Sequence, residues 1–270
     1  MQLSSAIITH PGKLREKNED NFYFFGTTIN DVKNDYCFAS NKTRTSNELT
    51  LFAVFDGMGG MSAGDTASKI AASVTKKIYK DYERLKTKNA ILLLNNICEQ
   101  ANSGICNEML RSSRKRMGST AAFICVMHDN YYLCNIGDSP IYIQHNKQLT
   151  RISAEHSERE MYERINGLAK MGQKFKLTQH LGIFPEEMAI EPYLTSGKII
   201  EGDKILICSD GLTDMVDENA INQILMCSKT VDTAVKALMS MALDNGGKDN
   251  ITIICIEVDK RRIVDIFKNT

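Results

Sequence analysis

Residues 51–68 read LFAVFDGMGGMSAGDTAS and join a predicted strand to a predicted helix. The first five residues form an apolar run that predicts a strand ending at Asp56 and the glycine after it. Ser62, with Asp65 three residues later, resembles a capping box and predicts a helix over 62–80. The glycines after Asp56 allow close approach of the backbone to a ligand. The stretch therefore predicts an acid presented at the end of a strand.

Further apolar runs on both sides of this stretch predict the other strands and helices. Besides 51–55, the predicted strands are 20–25, 118–127, 131–136, 140–144, 203–208 and 251–258. The predicted helices are 62–80, 89–110, 217–226 and 231–244. The short polar turns HDN and GDS, on either side of the strand 131–136, suit hairpins. The strands are therefore expected to be mostly antiparallel.

Helices with a single apolar stripe must cover a sheet face, so the sequence predicts a layered arrangement with helices outside. We expect an α/β fold of the α+β type, a four-layer αββα sandwich. The sequence shows no internal repeat and no Pro-rich or Ser-rich linker, so 1–270 is expected to be a single domain. The polar residues 26–50 and the charged residues 157–177 are interpreted as excursions from the core. Residues 259–270 form a short tail, in which KRRIVDIFKNT suggests a surface helix.

The composition is that of an ordinary globular protein, with 33 Lys and Arg against 33 Asp and Glu in 270 residues. A net charge of zero gives no overall field to hold nucleic acid or an anionic membrane, so neither is expected as a partner. The eight cysteines are scattered without a CxxC pair and are interpreted as small buried hydrophobes in a reducing compartment. No signal peptide or membrane-length apolar run is evident, which favours the cytoplasm.

Acidic residues stand at the ends of five predicted strands, beside glycine or asparagine. They are Glu19, Asp20, Asp56, Asp138, Asp210 and Asp249. For any one of them, a turn-forming or capping role is the commoner explanation. If the strand ends converge, however, these carboxylates would repel one another unless cations neutralise them. Because the clusters contain no His or Cys, Mg²⁺ or Mn²⁺ suits them better than zinc does.

An ordered set of motifs resembles the protein phosphatase 2C family of metal-dependent Ser/Thr phosphatases, in its bacterial type. The motifs are RxxNEDxF from Arg15, FDGMGGxxxGDxAS from Phe55, GST from Gly118, IGDS from Ile136, TxxLG from Thr178, SDGLTD from Ser209 and GGKDNIT from Gly246. The resemblance covers about residues 5–258. Each fragment alone is weak, whereas the full set in this order is specific. The resemblance implies two central antiparallel sheets, with a water bridging two metal ions and attacking the phosphorus.

The resemblance also implies a role for each matching acid. Asp56 would bridge both ions and Gly57 would offer its carbonyl, while Asp210 and Asp249 would hold one metal. Glu19 and Asp20 would hold metal-bound waters. Asp138, with Asp210, would bind a third and weaker ion. Arg15 would grip the substrate phosphate, because a guanidinium fork matches phosphate oxygens.

Three departures from the family pattern limit what can be transferred. Met58 stands where animal members have a histidine proposed as general acid, and a thioether cannot donate that proton. Pro140 replaces the arginine of the family's GDSR motif. Residues 157–177, in the position of the family's variable flap, match poorly. His156 and His180 border this segment, and like the other histidines they are expected to be structural rather than catalytic.

The leading hypothesis is a phosphatase that acts on phosphoserine and phosphothreonine proteins in signal transduction, as a cytoplasmic monomer opposed by a cognate kinase. Its cofactors would be two Mg²⁺ or Mn²⁺ ions, with a third as an open alternative. Two other hypotheses remain at this point. One is a catalytically silent protein that binds partners through the same fold, and the other is a hydrolase of small phosphate esters.

Overall fold

The computed structural model describes residues 1–32, 38–59, 63–84, 89–112 and 116–259. The strands in these ranges are β1 (Gln2–His10), β2 (Asn21–Phe24), β3 (Phe38–Thr45), β4 (Thr50–Phe55), β5 (Gly57–Gly59), β6 (Met117–Ser119), β7 (Ala121–Met127), β8 (Asn130–Ile136), β9 (Ile141–His145), β10 (Gln148–Arg151), β11 (Tyr193–Lys198), β12 (Lys204–Cys208) and β13 (Ile251–Asp259). The helices are α1 (Ala63–Tyr82), α2 (Ala90–Ser112), α3 (Arg159–Asn166), α4 (Asp210–Thr213), α5 (Glu218–Cys227) and α6 (Val231–Asp244), and a short 3-10 turn covers Ile29–Asp31.

Two large antiparallel sheets form the centre of the molecule. One has the strand order β10-β9-β12-β13-β1-β3, and the other has the order β11-β8-β7-β4-β2. A two-stranded ribbon of β5 and β6 lies beside them. The apolar side chains between the two sheets include Phe22, Phe52, Ile124, Ile207 and Ile254. Strand β13 is buried on both faces, which explains why its sequence is a nearly continuous apolar run.

Helices cover both outer faces of the sheet pair. Helices α1 and α2 pack on the five-stranded sheet, with Leu94, Ile97 and Phe123 in the shared core. Helix α6 packs on β1 and β13 of the six-stranded sheet, with Leu238 and Ile253 in the shared core. The predicted four-layer αββα sandwich is therefore confirmed.

Strong amphipathic periodicity gave good element boundaries. Asp217 caps α5 as predicted, since its side chain accepts from the backbone N–H of Ala220. The predicted strand 118–127 is interrupted at Thr120, which separates β6 from β7. The expected N-terminal residue of the first helix, Ser62, lies outside the described residues, as do Cys37 and the predicted helix after residue 259.

Strand β1 was not predicted, although it lies inside the six-stranded sheet between β13 and β3. Its serine and threonine residues weaken the apolar signal of the strand. The interpretation of 26–50 as an excursion was wrong for β3, which pairs with β1 over residues 38–45. Strand β3 is an edge strand with mostly exposed polar side chains, so it lacks an apolar pattern.

The predicted hairpin at the GDS turn was also wrong. Strands β7 and β8 do form a hairpin through the HDN turn, with Met127 opposite Asn130. After β8, however, residues 137–140 cross to the other sheet, where β9 pairs with β10 and β12. Gly137 permits this crossing through a positive φ of 104°. The crossing places Asp138 between the two sheets instead of at the tip of a hairpin.

The cysteines in the described part of the chain are free thiols, and six of these seven are buried as expected. Cys227, at the end of α5, is exposed, so for this residue the prediction was wrong. No helix within the described ranges is long and apolar enough to cross a lipid bilayer.

Candidate active site

A cavity of about 250 Å³ gathers the ends of both central sheets and the loop before β2. Seven of the eight residues predicted for the site line this cavity, namely Arg15, Glu19, Asp56, Gly57, Asp138, Asp210 and Asp249. The eighth, Asp20, is 1% exposed. The structure therefore brings together acids that lie as far apart in sequence as Glu19 and Asp249.

Asp56 is held at the end of β4 by a threonine and a serine. Its backbone N–H donates to Thr120 Oγ1 at 3.0 Å, and its carbonyl accepts from the N–H of Thr120 at 2.9 Å. The Thr120 hydroxyl is also 2.7 Å from Ser139 Oγ. The β6–β7 junction and the crossing after β8 thus fix the backbone of Asp56 together.

Glu19 and Gly57 lie against the first turn of α1, at Gly64. A Cβ on Gly57 would be 2.2 Å from the carbonyl oxygen of Gly64 and 2.5 Å from that of Glu19. A Cβ on Gly64 would be 2.8 Å from Glu19 Oε2. Only glycines fit at this contact, which brings the Glu19 carboxylate close to the N-terminal turn of α1.

Asp20 lies in the protein interior under the cavity. Its Oδ2 accepts from the hydroxyls of Ser209 and Thr252, each at 2.7 Å. Burial raises the pKa of Asp20 to about 7, although these two hydrogen bonds act in the opposite direction. Its other oxygen, Oδ1, is buried without a hydrogen-bond partner among the described residues.

Asp210 and Asp249 are paired with cations. Arg15 contacts both oxygens of the Asp249 carboxylate at 3.0 Å through Nε and Nη2. Lys174 Nζ is 2.5 Å from Asp210 Oδ2, 2.8 Å from Asp214 Oδ2 and 3.3 Å from Asp249 Oδ2. Burial alone would raise the pKa of Asp249, but Lys174 and Arg15 outweigh it and lower that pKa.

The remaining acids repel one another. Burial and the charges of Asp20 and Asp210 raise the pKa of Asp56 well above its usual value. Burial and the charge of Asp210 raise the pKa of Asp138 to about 7. The protonated forms are favoured because the cationic side chains do not neutralise all these carboxylates. The site therefore has a deficit of positive charge.

This donor set fits hard divalent cations. The acids that line the cavity offer carboxylate oxygens, and Gly57 adds a carbonyl beside Asp56. Asp210 Oδ1, like Asp20 Oδ1, is buried without a described hydrogen-bond partner. Among the described residues, no three acid, His or Cys side chains are placed so that together they could already hold a metal ion. Lys174 and Arg15 instead hold the Asp210 and Asp249 carboxylates.

Comparison with known families agrees with this arrangement. The family described as Protein phosphatase 2C matches residues 29–246, which is most of the chain. The chain belongs to the protein phosphatase 2C family. The family and the fold that its motifs predicted are therefore confirmed.

Relatives of this protein phosphatase 2C chain are found in several bacteria. The serine/threonine phosphatase Stp of Listeria monocytogenes serovar 1/2a is 28% identical over 270 residues, covering 95% of this chain and 96% of Stp. The S. agalactiae serine/threonine phosphatase shares the fold, with a TM-score of 0.78, 24% identity and coverage of 95% and 100%. The catalytic domain of PstP, solved with two manganese ions, has a TM-score of 0.76, 23% identity and coverage of 96% and 100%.

Sequence reasoning missed several residues of this phosphatase site. Asp214 follows Asp210 by four residues in the SDGLTD motif, so helical spacing could have indicated that both face the same side. Lys174, Phe175 and Leu177 line the cavity from the flap, the segment 157–177. Nothing in their local sequence indicates this position, because it depends on how the flap folds back.

The histidines beside the flap make backbone contacts. His156 Nδ1 accepts from the N–H of Gly137 at 3.1 Å, and His180 Nδ1 is 2.9 Å from the carbonyl oxygen of Leu181. Burial lowers the pKa of both rings, so the neutral forms are favoured. Neither histidine is among the residues that line the cavity. Their predicted structural role agrees with these contacts.

Proposed function

We propose that this protein is a metal-dependent protein serine/threonine phosphatase, which hydrolyses phosphoserine and phosphothreonine. The carrying observation is the convergence of Glu19, Asp56, Asp138, Asp210 and Asp249 in one cavity with Arg15. Membership of the protein phosphatase 2C family and the name of the Listeria relative support the same activity.

The cavity acids are proposed to hold two Mg²⁺ or Mn²⁺ ions, with room in the donor set for a third. Asp56, the Gly57 carbonyl, Asp210 and Asp249 are the proposed direct ligands, and Glu19 and Asp20 are proposed to hold the hydration shell. Asp138 and Asp210 are the proposed ligands of a third ion. Such ions, when bound, supply a water of lowered pKa and neutralise phosphoryl charge.

Arg15 is proposed to bind the substrate phosphate. Its side chain is 56% exposed, and its two-point contact with Asp249 shows that the guanidinium fork points toward the acids. A phosphate presents two oxygens in the same geometry as a carboxylate does. Arg15 would therefore orient the phosphorus over the acids while remaining open to solvent and to a protein substrate.

Met58 lines the cavity next to Gly57, where its thioether has no proton to give. His156 and His180 lie outside the cavity lining. Neither Met58 nor the histidines His156 and His180 are therefore proposed to give the proton to the departing serine or threonine oxygen. The side-chain contribution of this chain to the reaction is mainly positioning and charge, as phosphoryl transfer requires.

Turnover of a phosphothreonine peptide by the purified protein in Mn²⁺ tests this function. We expect hydrolysis of the peptide and of p-nitrophenyl phosphate, with activity lost on chelation and in Asp56→Ala and Asp210→Ala. Asp129→Ala, at an exposed acid paired with Lys198, is the matched control and should retain activity. Hydrolysis of p-nitrophenyl phosphate alone would favour a small-ester hydrolase. Absence of turnover with any divalent metal would favour a silent binding protein.

We further propose that the protein is a cytoplasmic monomer and that the chain forms one catalytic domain. It would act in signal transduction by reversing the phosphorylation that a cognate kinase adds. Support comes from the free thiols of the described cysteines, which suit a reducing compartment. The cavity also draws on both central sheets of a single chain. Light scattering after size exclusion tests the monomer, and phosphoproteomics with and without the protein tests the signalling role.

A further inference from the structure

Lys174 places its ammonium group among three carboxylates of the site. The carboxylate oxygens lie at 2.5 Å for Asp210, 2.8 Å for Asp214 and 3.3 Å for Asp249. Asp210 and Asp214 are four residues apart at α4, so both can face the same cation. The Lys174 side chain is 52% exposed, so the ammonium reaches the acids from the rim of the cavity and not from the core.

The position of Lys174 is set by the neck of the flap. The backbone N–H of Glu158 donates to the Lys176 carbonyl, and the N–H of Thr178 donates to the His156 carbonyl, both at 2.9 Å. Ser157 and Leu177 form a β-bridge at the same neck. Lys174 lies three residues before Leu177, so this neck holds its backbone beside the cavity, within reach of the acids.

The ring of Phe175 anchors the same segment to α3. Its centroid is 5.1 Å from that of Tyr162, and Phe175 also lines the cavity. Because Tyr162 and Phe175 both belong to the flap, this ring contact keeps the flap itself folded, while the neighbouring Lys174 makes the contacts with the acids. Loss of the Lys174 contacts would therefore leave the flap folded and attached through its neck.

Asp210 and Asp249 have two competing uses. Under the proposed function both are ligands of a divalent ion, while in this structure both face the Lys174 ammonium. A divalent ion and an ammonium repel each other, and a carboxylate oxygen in close contact with one has less room for the other. Metal at these acids and Lys174 at these acids are therefore alternatives.

We propose that Lys174 is a tethered counter-ion, which occupies Asp210, Asp214 and Asp249 in the metal-free protein and leaves when divalent metal binds. The proposal rests on the proposed metal site. It makes the flap and the metal two ligands of one set of acids, so each weakens the other by the same factor. Metal loading would then free the flap next to the cavity where a phosphoprotein must enter.

Calorimetric titration of the metal-stripped protein with Mn²⁺ tests the exchange without using turnover. Coupling between sites typically changes affinity about 5-fold to 150-fold, so Lys174→Gln should bind Mn²⁺ about tenfold more tightly than wild type. Lys176→Gln, at an exposed lysine of the same segment, removes the same charge and should stay within about twofold, since exposed charges are well screened. Lys174→Arg keeps the charge and should resemble wild type.

Hydrogen exchange of residues 168–177 gives a second readout on the wild-type protein itself. Mn²⁺ should speed exchange there in wild type but not in Lys174→Gln, in which the anchor is already absent. Lys174→Gln with unchanged or weaker Mn²⁺ affinity, or a wild-type flap that Mn²⁺ does not loosen, would overturn the exchange while leaving the phosphatase proposal intact. Wild type that binds no Mn²⁺ would overturn both.

Discussion

The side-chain oxygen of Asn250 accepts a hydrogen bond from the backbone N–H of Glu19 at 2.8 Å. The amide group of the same asparagine donates to the carbonyls of Pro11 at 2.9 Å and Lys17 at 2.8 Å. One buried side chain next to Asp249 thus holds the whole loop that carries Arg15 and Glu19. The arrangement of the phosphate-binding and metal-binding residues depends on this asparagine, although Asn250 need not touch either ligand.

Asn250→Ala should therefore loosen the loop and weaken metal binding. Removal of the amide takes the partner from three backbone groups, of which that of Pro11 is in a buried hydrogen bond and those of Glu19 and Lys17 are in part-buried ones. The cost is about 1–3 kcal/mol for each group that water does not reach. We expect a lower free energy of unfolding in urea and a weaker Mn²⁺ affinity by calorimetry. Asn222→Ala on α5, which removes the contacts of this side chain with Gln144 and Lys147, should lower stability without changing Mn²⁺ affinity. Equal Mn²⁺ affinity in both variants would contradict this role.

Thr120→Val should disturb Asp56 through its backbone. The substitution preserves shape but removes the acceptor of the Asp56 N–H and the partner of Ser139. We expect a loss of about 1–3 kcal/mol in unfolding free energy, together with a reduced kcat on a phosphothreonine peptide. Thr75→Val is the control, because that buried hydroxyl only bonds back to the Ala71 carbonyl within α1. A Thr120→Val protein with wild-type kcat would show that Asp56 is positioned by other contacts.

Gly64→Ala should separate α1 from the Asp56 turn. Its Cβ would be 2.6 Å from the backbone of Gly57 and 2.8 Å from Glu19 Oε2, and rigid backbone cannot yield as a side chain can. We expect about 1–3 kcal/mol of destabilisation from overpacking, and weaker Mn²⁺ binding. Gly104→Ala in α2 would meet two side chains and no backbone, with Ile70 at 3.0 Å and Val74 at 3.8 Å. Its helix-propensity gain offsets these contacts, so its stability should stay within about 1 kcal/mol of wild type.

Sequence patterns predicted the helices and strands whose position depends on nearby residues, such as a capping side chain or an apolar run. Helix α5 begins after its Asp217 cap, and β13 coincides with its long apolar run because it is buried on both faces. Strand β1 was not predicted, because its pairing with β13 and β3, and not its own composition, makes it a strand. The GDS turn was misassigned because a turn sequence does not specify which sheet the next strand will join.

In the candidate site, too, residues within motifs were predicted, whereas residues placed by contacts distant in sequence were not. The acids were found because each stands in a motif at a strand end, and the structure gathers them in one cavity. Lys174 was not found, because its contacts with Asp210 and Asp214 arise only when the flap folds back across the cavity. Asn250 stood next to a predicted ligand, but its role depends on carbonyls more than two hundred residues away along the chain.

The metal-free protein should lose stability as the pH rises toward neutrality. Burial raises the folded-state pKa of Asp20 and, with the charge of Asp210, that of Asp138, each from 3.8 to about 7. The folded state therefore binds these protons more tightly than the unfolded state does. Their stabilising contribution is complete below about pH 4 and is lost as the pH rises through about 7.

Comparison of the wild-type protein with Asp20→Asn isolates this effect in chelator. Asparagine keeps an acceptor for Ser209 and Thr252 but cannot ionise, so Asp20→Asn should gain stability relative to wild type as the pH rises from about 4 to about 7. Histidines with lowered pKa values act in the opposite direction over part of this range, but they are common to both proteins and cancel. Asp129→Asn, whose exposed acid has a pKa lowered by Lys198, should show a flat difference. In Mn²⁺ the wild-type loss of stability with rising pH should disappear, because the ions stabilise the ionised carboxylates. In chelator, a stability difference between wild type and Asp20→Asn that does not change with pH would show that Asp20 is ionised throughout.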